Sequence, residues 1–180
     1  ILLNRLTDVV YETNSISSDS FASLFESYFT SNNILVQTIE NSLDNFGTSN
    51  QVALDEYFVD IDEGTYDYLS FELLDPNGVV YYAYPHNTAV LGIDRSNEEF
   101  VEAASNLDTL YWSRPYVSLY SEELTISITT KNQDFYVIAY MPLTYINDLY
   151  IDNLGENSEK NLMILDQFGI YLYDSKTDNE

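Results

Sequence analysis

The stretch YWSRPYVSLY, Tyr111 to Tyr120, sets Trp112, Arg114, Tyr116, Ser118 and Tyr120 at alternate positions. In an extended chain alternate side chains share one face. That face would carry an indole, a guanidinium, two phenols and a hydroxyl, enough to hold a polar ligand against aromatic surface. A guanidinium grips a carboxylate through two parallel hydrogen bonds, and tyrosine-rich walls enclose a quaternary ammonium group against the negative faces of their rings. These residues do not choose between the two ligands, and rings at alternate positions serve a packed core equally well.

Catalytic chemistry finds less support. His86 is the only histidine, so a Ser-His-Asp triad or a histidine acid–base pair would have to use it. It stands in YPHNTA, with no G-x-S-x-G nearby, and reads as a surface loop residue. With no cysteine and one histidine, a zinc-type cluster is excluded. The segment DIDEGTYD fails as a calcium loop: counted from Asp60, Gly64 is fifth instead of sixth, and Phe71 stands where the bidentate Glu belongs. Close carboxylate pairs, as in glycosidases, arise by chance among 30 acidic residues. The six glycines make no phosphate-cradling motif. The expectation is a domain that is not an enzyme and carries no cofactor or metal.

Those 30 acidic residues face only 6 basic ones, a formal charge of −24 that repels phosphate backbones and argues against nucleic acid as a partner. Apolar residues make up 45% of the chain and aromatic ones 15%, a folding composition. Its 180 residues suffice for one domain, or one domain and part of another. No apolar run approaches the 18 residues of a membrane span. From its opening at ILLNRLTD and its end at SKTDNE the chain reads as an excised piece, whose leader and membrane anchors would lie outside it.

Residues 1–46 lack Pro and Gly, and Phe21, Leu24, Phe25, Tyr28 and Phe29, then Leu35, Val36, Ile39 and Leu43, recur at helical spacing. This predicts one long helix or two, weakened at TNSISSDS and stopped at Gly47. Such a length exceeds what a small domain covers, so part of it should pack on a second copy or extend as a stalk. A short helix over QVALDEYF follows. YLSFELLD, the turn PNG and VVYYAYP predict a hairpin. RSNEEFVEAASNL predicts a short helix with Ser96 as N-cap and Glu99 completing a capping box. LYWSRPYVSLY, LTISITT and FYVIAYMPLTYI predict three more strands, and NDLYIDNL a connecting helix. Finally FELLDPNGVVYYA, from Phe71, returns as LMILDQFGIYLYD, from Leu162, with Leu74, Asp75, Gly78 and Tyr82 matching Leu165, Asp166, Gly169 and Tyr173.

This order of elements resembles the Cache (PAS-like, PDC) sensor domains on the outside of bacterial receptors. The resemblance rests on the long helix, LLDPNGVVYYA, LGID before a short helix, YWSRPYVS and the TISITT…FYVIAYMPL pair. It implies an α+β fold: a long N-terminal helix, a PAS-like five-stranded antiparallel sheet with flanking short helices, and the opening hairpin of a second module. The implied divisions are 1–50 for the helix (stalk and dimerisation), 51–152 for the PAS-like module, and 153–180 for a connector and a truncated second module. The other reading of the repeat puts both hairpins in one larger sheet.

In such a sheet the ligand lies between the concave face, the short helices and the loop after the second strand. The residues so implied as ligand-binding are Tyr82, Tyr84, Asp94, Phe100, Trp112, Arg114, Tyr116, Ser118 and Tyr140, with Tyr111 beside them. The amino-acid-binding branch of the family uses Arg-x-Trp-Tyr on the short helix and two Asp residues. Here Glu98, Phe100 and Val101 stand for the former, and Ser118 and Tyr140 for the latter. The departure disfavours ordinary α-amino acids. The resemblance implies an extracytoplasmic sensor of a transmembrane histidine kinase, chemoreceptor or diguanylate cyclase. Its expected partners are a small-molecule ligand (an amine, carboxylate or similar) and a second copy bound through the N-terminal helix. The alternative is a protein-docking or dimerisation module with no small-molecule ligand.

Overall fold

The structure, a computed structural model, describes residues 2–47, 50–64, 68–106, 110–118, 121–145, 163–165 and 171–174. Helix α1 runs unbroken from Leu2 to Phe46, through the Ser- and Asn-rich stretch expected to weaken it. At 1.5 Å per residue it is roughly 65 Å long. Tyr28, Asn32, Val36, Ile39 and Leu43, spaced by three or four residues, form its buried stripe. Gly47, at φ +81°, ends it and donates its N–H to the Leu43 carbonyl at 2.9 Å. Helix α2 covers Gln51–Gly64, longer than its sequence signal.

The sheet is built from β1 (Ser70–Leu74), β2 (Val80–Tyr84), β3 (Tyr111–Trp112), β4 (Tyr116–Val117), β5 (Leu124–Lys131) and β6 (Tyr136–Pro142). Its order is β2-β1-β6-β5-β3, with β4 also paired to β5, and every pairing is antiparallel. The single third strand expected from sequence is thus two short ones. Tyr111 lies opposite Thr129 and Tyr116 opposite Thr125, so five steps along one strand match four along the other. One extra residue sits between them, a bulge that includes Pro115, which has no N–H to give to the ladder. Ser113 fills the gap by accepting the Ser127 N–H on Oγ at 2.8 Å.

The sheet has two unlike faces. Phe71, Leu73, Tyr82, Ile126, Ile128, Val137, Ala139 and Met141 pack with Phe58 of α2 and the stripe of α1. Leu74, Val80, Ala83, Tyr136 and Ile138 turn the other way, toward helix α3 (Glu99–Asn106), whose Phe100 and Val101 join them. Ser96 is not the cap of α3 but part of a tight turn before it, where its N–H is donated to Asp94 Oδ1 at 2.8 Å. That turn is fastened to the β1–β2 hairpin, since the Arg95 N–H meets the Gly78 carbonyl at 2.8 Å.

Gly78 permits the fastening. Its φ is +88°, and a methyl group there would lie 3.0 Å from the Cα, Cβ and N of Ser96. Gly78→Ala is therefore expected to cost about 1–3 kcal/mol. In thermal denaturation that is a fall of a few degrees or more, and an unchanged midpoint would contradict the packing.

The repeat seen in sequence is a repeat of structure. In the first hairpin Leu73 pairs with Tyr82 and Leu74 with Val80, the register shifting between them. Strands β7 (Met163–Leu165) and β8 (Tyr171–Asp174) pair Ile164 with Tyr173 and Leu165 with Tyr171, shifting at the same place. Each residue of the second set is 91 positions beyond its counterpart. β7 and β8 form a two-stranded sheet of their own. The expected connecting helix NDLYIDNL and the turn of the second hairpin lie outside the described residues.

Candidate functional site

A cavity of about 520 Å³ opens on the α3 face of the sheet. Strand β1 and the residue before it supply Leu69, Ser70 and Glu72; β2 supplies Ala83, and β6 supplies Tyr140. The loop after β2 contributes Pro85, His86, Asn87, Val90, Arg95 and Glu98, α3 contributes Phe100, and the β4 region closes the far side with Tyr116, Val117, Ser118 and Ser121.

At its base a glutamate sits inside an apolar strand. Glu72 is flanked by Phe71 and Leu73, which point to the helices, so it points to the cavity side, only 5% of its side chain exposed. Arg95 reaches it from the loop: Nε to Oε2 is 3.1 Å and Nη2 to Oε1 is 2.9 Å. The Tyr140 hydroxyl donates to Oε2 at 2.8 Å. Both oxygens are thus engaged, and the loop is tied to the sheet by a buried, bidentate ion pair. Tyr116, stacked on Phe100 at 6.0 Å, has a buried hydroxyl that lies beside Ser127 Oγ without the geometry of a hydrogen bond; Ser127 Oγ and Thr129 Oγ1 also lack a partner. Such buried hydroxyls are rare unless water or a ligand meets them.

Burial first, then nearby charge, raises the phenols here. Tyr116 is pushed up to about 12, Tyr140 well above its usual value, and Tyr82, on the opposite face and bonded to Asp55, higher as well. Because each folded value exceeds the unfolded one near 10, the stabilising contribution is complete below pH 10 and is lost as pH rises through the folded value, which for Tyr116 is about 12. Alkaline titration followed at the tyrosinate absorbance should show a group of tyrosines ionising late, together with unfolding. Tyr116→Phe should flatten the stability profile between pH 10 and 12, and an unchanged profile would contradict the burial of its hydroxyl.

The implied site residues fall into three groups. Phe100, Tyr116, Ser118 and Tyr140 meet at the cavity. Tyr82, Tyr84 and Trp112 stand on the opposite face: Tyr82 donates to Asp55 at 2.8 Å, Tyr84 to Asp62 at 3.2 Å, and Trp112 Nε1 to Asn33 at 2.8 Å, edge-on to Phe29. Arg114 and Asp94 are exposed. The former lies 3.7 Å from Glu99, and the latter holds the Ser96 turn, whose hydrogen bonds lower its carboxyl below the usual range. Tyr111 bonds Glu99 at 3.0 Å, outside the cavity lining.

Trp112 and Tyr116 thus do not share a face, because the bulge between them shifts the alternation by one residue. Glu72, Arg95 and Glu98 were not among the residues expected to bind ligand. His86 is exposed, as expected, yet stands at the cavity rim. A signal for Glu72 exists in SFELLD, where an acid interrupts a run otherwise apolar on both faces.

No protein-family model and no curated protein matches this sequence. Solved structures do match the fold. The sensory domain of the Campylobacter jejuni chemoreceptor Tlp3 superposes with a TM-score of 0.71 at 12% identity, over 89% of this chain and 69% of that one. The ligand-binding domain of the Pseudomonas fluorescens chemoreceptor CtaA, solved in complex with L-serine, gives 0.66 at 15% identity over 86% and 67%. The chain has a Cache-like fold. A third match to this fold is the extracellular domain of rpHK1S-Z16, provisionally described as a histidine kinase, at 0.67 and 17% identity over 81% and 62%. The Cache-like chain spans about two thirds of the length of these structures.

Proposed function

We propose that the chain is the small-molecule-sensing part of a transmembrane receptor, and that its ligand binds in the α3-side cavity. One observation carries this reading: a cavity of about 520 Å³, of ligand size, walled by the rings of Phe100, Tyr116 and Tyr140. The fold supports it, since the solved structures that share it are described as ligand-binding, sensory or extracellular domains of receptors. The domain acts outside the cytoplasm as part of a histidine kinase, chemoreceptor or diguanylate cyclase. Copies pair along α1, where Ile34 is 59% exposed, and residues 153–180 begin a second module like the one at 51–152, as the shared hairpin register suggests. Among the described residues no helix is long and apolar enough to cross a membrane.

Signalling in this account is a population shift. The ligand favours one of two arrangements of the paired α1 helices by binding it more tightly, and equal affinity for both would transmit nothing. A thermal-shift screen of amines, betaines, sugars, nucleobases and carboxylates tests the reading. A ligand at a hundred times its Kd adds about 2.7 kcal/mol. For a chain of this size the midpoint then rises by roughly 5–10 °C. If no compound shifts the midpoint at millimolar concentration, a docking or dimerisation module becomes the better account.

A further inference from the structure

Arg95 is the only Lys or Arg among the described residues that line the cavity. Its Nε–Nη2 edge, one on which a ligand carboxylate could take a bidentate grip, is already held by Glu72 at 3.1 and 2.9 Å. Resting on the reading of this cavity as the ligand site, we propose that Glu72 sets its specificity: the carboxylate locked on Arg95 takes the place of a ligand carboxylate, closing the site to such ligands and leaving it to small molecules without an anionic group.

The physical reason is what displacement would leave behind. A ligand carboxylate on that edge must push Glu72 off while Glu72 stays buried, and a buried charge without its partner costs on the order of a hundredfold or more in affinity. The wider field acts in the same direction. Glu72 and Glu98 outnumber Arg95 in the lining, and the chain carries a net charge of −24. What the cavity offers instead is uncharged: Ser70, Ser118 and Ser121 beside the rings of Phe100, Tyr116 and Tyr140.

Acetate tests this directly. In Glu72→Ala the chain loses a carboxylate-sized group between Arg95 and Tyr140. Acetate should then raise the melting midpoint of the variant by several degrees over chloride at equal ionic strength, and bind it at least tenfold more tightly than it binds the wild type. Adding Arg95→Met to that variant should abolish the effect. Glu72→Gln, of the same shape but uncharged, is measured alongside, so that an alanine variant too unstable to fold leaves the test standing; it too should bind acetate more tightly than the wild type. The proposal is overturned if the wild type binds acetate or propionate and loses that binding in Arg95→Met, or if folded Glu72 variants gain no affinity for either anion. A compound screen without hits would count against the sensor reading alone, because the acetate result is read from the variant's own cavity.

Discussion

Arg95→Met is expected to destabilise the domain by about 3–5 kcal/mol, because it strands the Glu72 carboxylate among apolar neighbours. At 12% and 5% side-chain exposure, neither member of the pair is well screened by water. For a chain of this size the midpoint should fall by roughly 10 °C or more. Glu72→Met combined with Arg95→Met should cost far less, since no charge then remains buried and the chief loss is the acceptor of the Tyr140 hydroxyl. Chemical denaturation of both single variants and the double variant measures the coupling. Additive losses would mean that the two groups are solvated separately and that the loop is not tied down through them.

The second large effect is expected at Phe58, on the other face of the sheet. It is fully buried, stacked on Tyr82 at 5.5 Å and Tyr84 at 5.8 Å, and tilted against Phe71 at 5.0 Å. Phe58→Ala should cost about 3–5 kcal/mol, because these rings cannot close over a cavity of that size. Phe58 is also the buried ring by which α2 meets β2, so the loss should weaken α2 first. Amide exchange would then be fastest across Gln51–Gly64, while the β5–β6 ladder stays protected. Uniform loss of protection would show that α2 has no separate docking step.

Most elements were legible because each carries its own periodicity or turn chemistry. The α1 stripe follows helical spacing, Pro-Asn-Gly marks the first hairpin, and the spaced apolar runs give β5 and β6. Long-range contacts are not written that way. The alternation that put Trp112 with Tyr116 is sound strand geometry, but it assumes an unbroken ladder, and the extra residue before Tyr116 appears only when both pairings to β5 are known. Likewise Tyr82 and Tyr84 share a face, but which face is decided by α2, whose Phe58, Asp55 and Asp62 take them. Glu72 is not legible in the same way, because one charge inside a strand has no visible partner in sequence, and Arg95 lies 23 residues away.

The central claim is that ligand binds on the α3 side of the sheet and not on the helix side. The most direct measurement is calorimetric titration of the first compound that stabilises the wild type, repeated with Tyr116→Phe and with Trp112→Phe. Tyr116→Phe removes the buried hydroxyl of a ring that lines the cavity and should weaken binding about tenfold, the value of one hydrogen bond. Trp112→Phe alters a ring packed on Phe29, across the sheet, and should leave the affinity unchanged. The reverse pattern, binding lost with Trp112→Phe and kept with Tyr116→Phe, would move the site to the helix face and contradict the account.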